Sequence, residues 1–146
     1  MKVRDIMTRH PACCAASTSL VDVAKMMVHY DCGEIPVIDD AGEPIGVVTD
    51  RDITCRVVAE NKSASELTAE DCMTTPCVTV AVDDDVHDCV GVLESYMIRR
   101  APVIDAQGRC CGIVSQADIA RMGDEHDAAE LVREVSRPIP PFSSFI

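Results

Sequence analysis

Two short stretches of the sequence place a hydroxyl group and a carboxylate three positions apart, directly after an apolar run. In GVVTDRDI these residues are Thr49 and Asp52, and in GIVSQADI they are Ser115 and Asp118. An apolar run followed by a hydroxyl residue and, three positions later, an acidic residue is typical of a strand that turns into a helix. The amides and dipole of a helix N-terminus favour a phosphate, and a neighbouring carboxylate can accept hydrogen bonds from a ribose diol. Each stretch could therefore bind a nucleotide through its sugar and phosphate.

The same spacing also has a purely structural interpretation. Serine or threonine followed three residues later by an acidic residue can form a capping box, in which side chain and backbone at the helix start satisfy each other. The spacing alone leaves the choice between helix capping and ligand binding open.

The sequence that surrounds these residues is an internal repeat, so the elements that position them occur twice. DIMT near the N-terminus corresponds to DCMT, IPVID corresponds to APVID, and GVVTDRD corresponds to GIVSQAD. Corresponding positions lie 66 residues apart over most of the repeat, as from Gly46 to Gly112. One such unit is too short to bury much surface alone. We predict that two units pack sheet to sheet as a pseudo-two-fold sandwich, with equivalent residues meeting in a cleft between them.

Each unit is predicted to run helix, strand, helix, strand, strand, helix, which makes the fold class α/β (α+β). An extended segment follows the first proline of each unit, at residues 12–16 and 77–82. Ser19 or Thr18 can cap the next helix of the first unit. The apolar stripe of that helix is predicted to comprise Leu20, Val23, Ala24, Met27 and Val28.

We divide the chain into a first unit at 1–58, a linker at 59–69, a second unit at 70–122 and a C-terminal segment at 123–146. Asp124 can cap a helix in that last segment, and the Pro-rich stretch RPIPPFSSFI ends it. Both phenylalanines lie in this stretch, and we expect them either to dock on a partner subunit or to be disordered. The predicted buried face of the helix comprises Ala128, Leu131, Val132 and Val135.

The net charge of −12 argues against general nucleic-acid binding and against an anionic membrane surface, because both are negatively charged. No apolar run is long enough to span a bilayer, and the N-terminal sequence lacks the apolar core of a signal peptide. We therefore expect a cytoplasmic protein. The arginines cluster around the repeated stretches, where they would suit one small anion: Arg51, Arg56, Arg99, Arg100, Arg109 and Arg121.

Nine cysteines are present, but their spacing predicts neither a metal site nor a disulfide framework. No C-x-x-C occurs and the count is odd. Most occupy positions where the other unit has an aliphatic residue, which favours buried thiols that act as small hydrophobes. A thiol sensor is the alternative, with the more exposed candidates Cys13, Cys14, Cys77 and Cys110.

Taken together, DIMT and DCMT, IPVID and APVID with their glycine turns, and GVVTDRD and GIVSQAD resemble a pair of CBS domains, named after cystathionine β-synthase. The resemblance covers residues 3–122. It implies duplicated β-α-β-β-α units packed as a pseudo-two-fold CBS pair, or Bateman module. The chain looks most similar to small bacterial proteins made only of a CBS pair, some of them linked to stress or hypoxia responses.

The resemblance also implies a ligand, because CBS pairs of this family bind adenine nucleotides in the cleft between the units. The motif aspartate would hold the ribose, the nearby hydroxyl would contact ribose or phosphate, and the segment after the proline would contact the base through its backbone. These roles carry over to Asp52, Thr49, Asp118 and Ser115, and for the base to the stretches around Cys14-Ala15 and Thr79-Val80.

The two halves of the cleft are predicted to differ. Glu34 precedes the Pro-Val-Ile strand in the first unit, and Arg99 and Arg100 precede it in the second. A carboxylate there would repel phosphates, whereas an arginine would attract them. We therefore expect only one of the two sites to bind well, with Arg100 and Arg51 as phosphate ligands. A solvated pair of charges is the alternative for Arg99 and Arg100.

These features predict a non-catalytic regulatory module that binds an AMP-, ADP- or ATP-like ligand, needs no cofactor, forms a homodimer and signals to an unidentified effector protein. No nucleophile paired with a base is evident, so we do not expect an enzyme. The alternatives are a ligand-free dimeric scaffold of a stress response and a thiol-based redox sensor.

Overall fold

The computed structural model describes residues 1–138 and shows the repeat as two units of the same architecture. The first comprises α1 (Val3–Ile6), β1 (Thr8–Arg9), α2 (Leu20–Tyr30), β2 (Glu34–Ile38), β3 (Pro44–Thr49) and α3 (Asp50–Ile53), which continues as a π-helical turn (Thr54–Val58). A 3-10 turn (Ala64–Glu66) lies in the connection. The second comprises α4 (Ala69–Cys72), β4 (Val80–Ala81), α5 (Val86–Tyr96), β5 (Arg100–Ile104), β6 (Cys110–Ser115) and α6 (Gln116–Met122), and α7 (Glu125–Val135) follows.

The two units exchange backbone pairing across the pseudo-two-fold axis. Strand β1 of the first unit pairs antiparallel with β6 of the second, with Thr8 opposite Ile113, in a sheet of order β1-β6-β5-β4. The reciprocal contact is a bridge between Val47 in β3 and Thr74, with N···O distances of 3.2 and 2.8 Å. The pair is therefore held together by main-chain hydrogen bonds as well as by side-chain packing.

The glycine that opens each repeated motif is required by this exchange. A Cβ atom on Gly112 would lie 2.9 Å from the carbonyl oxygen of Thr8, and one on Gly46 would lie 3.0 Å from that of Thr74. Any side chain at either position would push the crossing segment away. The glycines of GVVTDRDI and GIVSQAD thus serve the contact between the units.

Each unit has its own apolar core. The first is centred on Leu20 and Ile35, and the second on Leu93 and Ile119, all with no exposed surface. Cys72 and Cys89 lie within these cores, as predicted for small hydrophobes. Cys14 also lies in the first core and is 6% exposed, so its prediction as one of the more exposed thiols was wrong. Its parallel bridge to Val37 holds it beside β2.

The extended segments after the prolines form less strand than predicted. Residues 12–16 contribute a single parallel bridge, in which the Cys14 amide donates to Pro36 and its carbonyl accepts from Ile38. Extension toward residue 12 would need an amide hydrogen on Pro36, which has none. In the second unit the strand predicted over 77–82 shortens to β4, which pairs in parallel with β5.

The predicted stripe of α2 was wrong at Val28, whose side chain is 84% exposed. Leu20 and Val23 face the core as expected, and Met27 packs partly against it. Val28 is rotated about 100° from Met27 around the helix, beyond the buried edge.

Helix α7 packs against α5 and α6 of the second unit. Asp124 caps it as predicted, and Leu131 and Val135 are buried, but Val132 is 46% exposed and does not belong to the buried face. The Asp127 carboxylate joins α7 to α5 through the His87 Nδ1 atom at 3.1 Å. The prediction for the phenylalanines and most of the Pro-rich stretch concerns 139–146, outside the described residues.

Candidate ligand-binding cleft

Two pockets open between the units, and they are built from corresponding positions of the repeat. We name the first, of about 420 Å³, the Asp118 pocket, and the second, of about 570 Å³, the Thr49 pocket. Both volumes fall within the range of small-molecule sites. Each combines the strand-to-helix turn of one unit with the post-proline segment of the other, Pro11-Ala12 in one case and Pro76 with Val78 in the other.

In the Asp118 pocket, the residues that form the capping box also line the pocket. The Asp118 carboxylate accepts hydrogen bonds from the Ser115 amide and hydroxyl, both at 2.9 Å, and the Ser115 hydroxyl accepts from the Asp118 amide at 3.2 Å. Asp118 is 5% exposed, and its other oxygen accepts from Arg121 at 2.9 Å. Capping therefore occurs as predicted, and it leaves a buried carboxylate on the pocket wall.

In the Thr49 pocket the corresponding carboxylate is turned away. Asp52 accepts from the Thr49 amide and donates its own amide to the Thr49 hydroxyl, both at 3.0 Å, so this capping box is also formed. Its carboxylate accepts from the Thr74 hydroxyl at 3.1 and 3.2 Å, and the Arg56 Nε lies 3.8 Å away. Thr49 lines the pocket, whereas Asp52 lies behind this lining.

Two residues at corresponding positions, Glu34 and Arg100, line both pockets. Glu34 is 5% exposed, and its Oε1 has no hydrogen-bond partner among residues 1–138. Burial raises the pKa of the Glu34 carboxyl to about 8; the Arg100 charge opposes the rise and Asp52 adds to it. At neutral pH the side chain is therefore largely uncharged, and the expected repulsion of phosphates is weaker than a carboxylate would exert.

Four of the six predicted arginines line the cleft, whereas Arg56 and Arg109 line neither pocket. Arg121 lines only the Asp118 pocket. Arg99 also lines both pockets, and Arg51 lines the Thr49 pocket at the start of α3. The expected contact of Thr79 and Val80 moves to Val78: Val80 packs into the second core because β4 directs it inward, and neither residue lines a pocket.

The family model described as CBS domain matches residues 3–59 and 69–125. The chain belongs to the CBS domain family. Its two matched segments are the two halves of a CBS pair, as the fold shows.

Three relatives resemble this CBS pair. It is 33% identical over 119 residues to the uncharacterized protein MK0525 of Methanopyrus kandleri, covering 82% of this chain and 58% of that protein's length. It is 31% identical over 136 residues to hypoxic response protein 1 of Mycobacterium tuberculosis, covering 93% of this chain and 94% of the relative. A crystal structure of Hypoxic Response Protein I with two coordinated zinc ions has a TM-score of 0.76 at 31% identity, covering 84% and 98% of the chains.

The third is the CBS domain pair of protein MJ0100, solved in complex with 5'-methylthioadenosine and S-adenosyl-L-methionine. It has a TM-score of 0.75 at 30% identity and covers 84% of this chain and 94% of its own.

Sequence reasoning missed several residues of the cleft in this CBS pair. Arg137 lines the Thr49 pocket from the end of α7, which lies outside the repeat and gave no signal. Tyr30 and Asp31 line the Asp118 pocket at the end of α2, and the correspondence with Tyr96 and Met97 in the other pocket could have identified them.

Residues 1–138 contain no group of three side chains placed to hold a metal ion, and no helix among them is long and apolar enough to cross a membrane.

Proposed function

We propose that this CBS pair is a non-catalytic regulatory module that binds an adenosine compound, of the AMP, ADP or ATP kind, in the cleft between its units. The observation that carries the proposal is the Asp118 pocket. There a buried carboxylate at a helix N-terminus faces the post-proline segment of the other unit, as binding of a ribose and its base would require. The adenosine ligands of the MJ0100 pair support this choice of ligand class.

The Thr49 pocket is proposed to take the phosphate-bearing ligand. Arg51 and Arg137 line only this pocket, Arg121 lines only the Asp118 pocket, and Arg99 and Arg100 are shared. Arginine binds phosphate oxygens through paired donors. One pocket is thus richer in carboxylate and the other in guanidinium, which supports unequal affinities for one ligand.

The regulatory step is a shift in population. A ligand that contacts both units favours one arrangement of them, by no more than its difference in affinity for the two arrangements. We further propose that the chain acts as a homodimer and passes the shift to an effector protein. Sedimentation equilibrium of the reduced protein tests the dimer.

Thermal unfolding with adenosine, 5'-methylthioadenosine, AMP, ADP and ATP tests the ligand. A true ligand at 100 times its Kd should add about 2.7 kcal/mol of stability. Asp118→Ala should abolish the gain from adenosine and 5'-methylthioadenosine, the ligands without a phosphate, because Asp118 lines only the Asp118 pocket. The matched control is Asp71→Ala, because Asp71 closes a capping box with the Thr68 amide at 2.8 Å but lines neither pocket. If no compound stabilises the protein at millimolar concentration, a ligand-free scaffold is favoured. If Asp118→Ala keeps the full gain from adenosine and 5'-methylthioadenosine, Asp118 is a helix cap only.

Two variants test whether the phosphate-bearing ligand binds in the Thr49 pocket. Arg51→Ala should weaken the binding of ATP more than the binding of adenosine, because only ATP places negative charge beside the guanidinium. Arg109→Ala is the control: this exposed arginine pairs with Asp105 outside both pockets. If Arg51→Ala reduced the affinities for ATP and for adenosine by the same factor, the assignment would be contradicted.

A further inference from the structure

The two tyrosines of the chain occupy corresponding positions in the two pockets. Tyr30 lines the Asp118 pocket and Tyr96 lines the Thr49 pocket, and the two lie 66 positions apart, as the repeat requires. Among residues 1–138 they are the only side chains of the phenylalanine, tyrosine and tryptophan types, and neither belongs to an apolar core. In this part of the chain, these large aromatic rings therefore occur only at the cleft.

Both rings are left largely uncovered by the fold. Tyr30 is 57% exposed and Tyr96 is 61% exposed. A tyrosine ring offers a large apolar area with little conformational freedom, and small-molecule pockets are lined mainly by apolar and aromatic side chains. A ligand in either pocket would cover aromatic surface that the protein itself leaves open.

Each tyrosine is the last residue of a helix, which fixes the position of its backbone. Helix α2 ends at Tyr30 and α5 ends at Tyr96. The next residue has a left-handed conformation in both cases, with φ of 51° at Asp31 and 53° at Met97, a common way for a helix to end. The His29 ring also contacts the Tyr30 ring, with centroids 4.8 Å apart and an angle of 88° between the planes. Two rigid helices thus present the two rings.

In each pocket, the tyrosine comes from the unit that supplies the post-proline segment. In the Asp118 pocket, Tyr30 and Pro11 belong to the first unit, whereas Asp118 belongs to the second. The Thr49 pocket exchanges these origins, because Tyr96 belongs to the second unit and Thr49 to the first. A sugar held by the strand-to-helix turn of one unit therefore directs its base toward the unit that carries the tyrosine.

We propose that Tyr30 and Tyr96 are base-binding residues, each of which stacks its ring on the purine of the ligand in its own pocket. This role rests on the proposed function, the binding of an adenosine compound. A purine has two flat faces, and stacking on an aromatic ring covers one of them independently of the hydrogen bonds made by the edge of the base. The backbone of the post-proline segment remains available to that edge.

Tyrosine emission of the full reduced chain tests the role, because the chain contains no tryptophan and one tyrosine lines each pocket. We expect adenosine to quench Tyr30 in the Tyr96→Leu variant, and ATP to quench Tyr96 in the Tyr30→Leu variant. Excitation at the red edge of the tyrosine band avoids absorption by adenine. Ribose 5-phosphate, which has no base, should leave the emission unchanged. Constant emission with adenosine and ATP, or equal quenching by ribose 5-phosphate, would overturn the proposal.

Affinities from isothermal titration calorimetry provide the second measurement. Tyr30→Leu should weaken the binding of adenosine at least about fivefold, the lower end of the range for a base stacked on an aromatic ring, and leave the binding of ATP unchanged. Tyr30→Phe keeps the ring and should bind adenosine as the parent chain does. Tyr96→Leu and Tyr96→Phe should have the same effects on ATP. Parent affinities in both leucine variants, or equal losses in the leucine and phenylalanine variants, would contradict stacking.

These measurements also separate the role of the tyrosines from the adenosine proposal. If the compounds raise the thermal stability of the chain while its emission and the affinities of the leucine variants stay unchanged, the cleft binds adenosine without stacking on the tyrosines. If no compound stabilises the chain or quenches its emission, both proposals fail. Emission that changes on dilution but not with ligand would place the rings between copies of the chain and overturn stacking. Quenching of the unmodified chain supplies the same test if a leucine variant fails to fold.

Discussion

Replacing Glu34 by glutamine should remove a large pH dependence of stability. The Glu34 side chain is 5% exposed, and its carboxyl has a folded-state pKa of about 8 against an ordinary value of 4.5. Below pH 4.5 the folded and unfolded chains both carry the proton, so the group contributes nothing. Between 4.5 and about 8 the unfolded chain ionises while the folded chain keeps its proton, and the free energy of unfolding falls as pH rises.

The size of the effect follows from the two pKa values. At about 1.4 kcal/mol per pKa unit, the difference between 4.5 and about 8 corresponds to a loss on the order of 5 kcal/mol above pH 8. This is a substantial part of the stability of a domain of this size. Glutamine fills nearly the same volume and cannot ionise. Glu34→Gln should therefore be more stable than the parent protein at pH 9, by several kcal/mol, and lose that advantage at pH 4.5.

Urea unfolding of both proteins at half-unit steps from pH 4.5 to 9, with reductant, measures this difference directly. The difference between variant and parent isolates the one carboxyl from every other group that titrates. Glu66→Gln, at an exposed position, accounts for the loss of a glutamate without a change in the buried interior. A difference between Glu34→Gln and the parent that stays constant across the range would refute the reasoning.

Three further perturbations test how the units and α7 are held. Gly112→Ala should destabilise by about 1–3 kcal/mol in urea unfolding, because its Cβ would lie 2.9 Å from the Thr8 carbonyl; an unchanged midpoint would mean the crossing segment moves freely. Leu131→Ala should cost about 2–5 kcal/mol, since the side chain is fully buried; a loss under 1 kcal/mol would show that α7 is not part of the cooperative fold. The Asp127 carboxylate raises the pKa of His87, so His87→Gln should lower the thermal midpoint at pH 5.5 and have less effect at pH 8.5; equal effects would exclude the ion pair.

The parts of this structure that sequence could predict are those that depend on local spacing. The capping boxes of Thr49 and Ser115 form because three residues suffice to define them. The pairing of Thr8 with β6 joins residues far apart in the chain, and no periodicity indicates which distant strand a short segment will meet. The ionisation state of Glu34 depends in the same way on burial that the whole fold creates.

The placement of Arg137 could not be predicted for a different reason. It follows the end of α7, outside the repeat, so no corresponding position in the first unit indicated that this segment reaches the cleft.

The presence of Glu34 and Arg100 in both pockets has a consequence for the origin of the module. If a single unit assembled as a symmetric homodimer, the same side chain would occur on both sides of the two-fold axis, because an isologous interface repeats every residue. Two glutamates or two arginines would then face each other. Joining two copies in one chain lifts that constraint and allows an acidic and a basic residue to occupy the two corresponding positions, as they do here. The covalent duplication is thus what allows one cleft to present two chemically distinct faces.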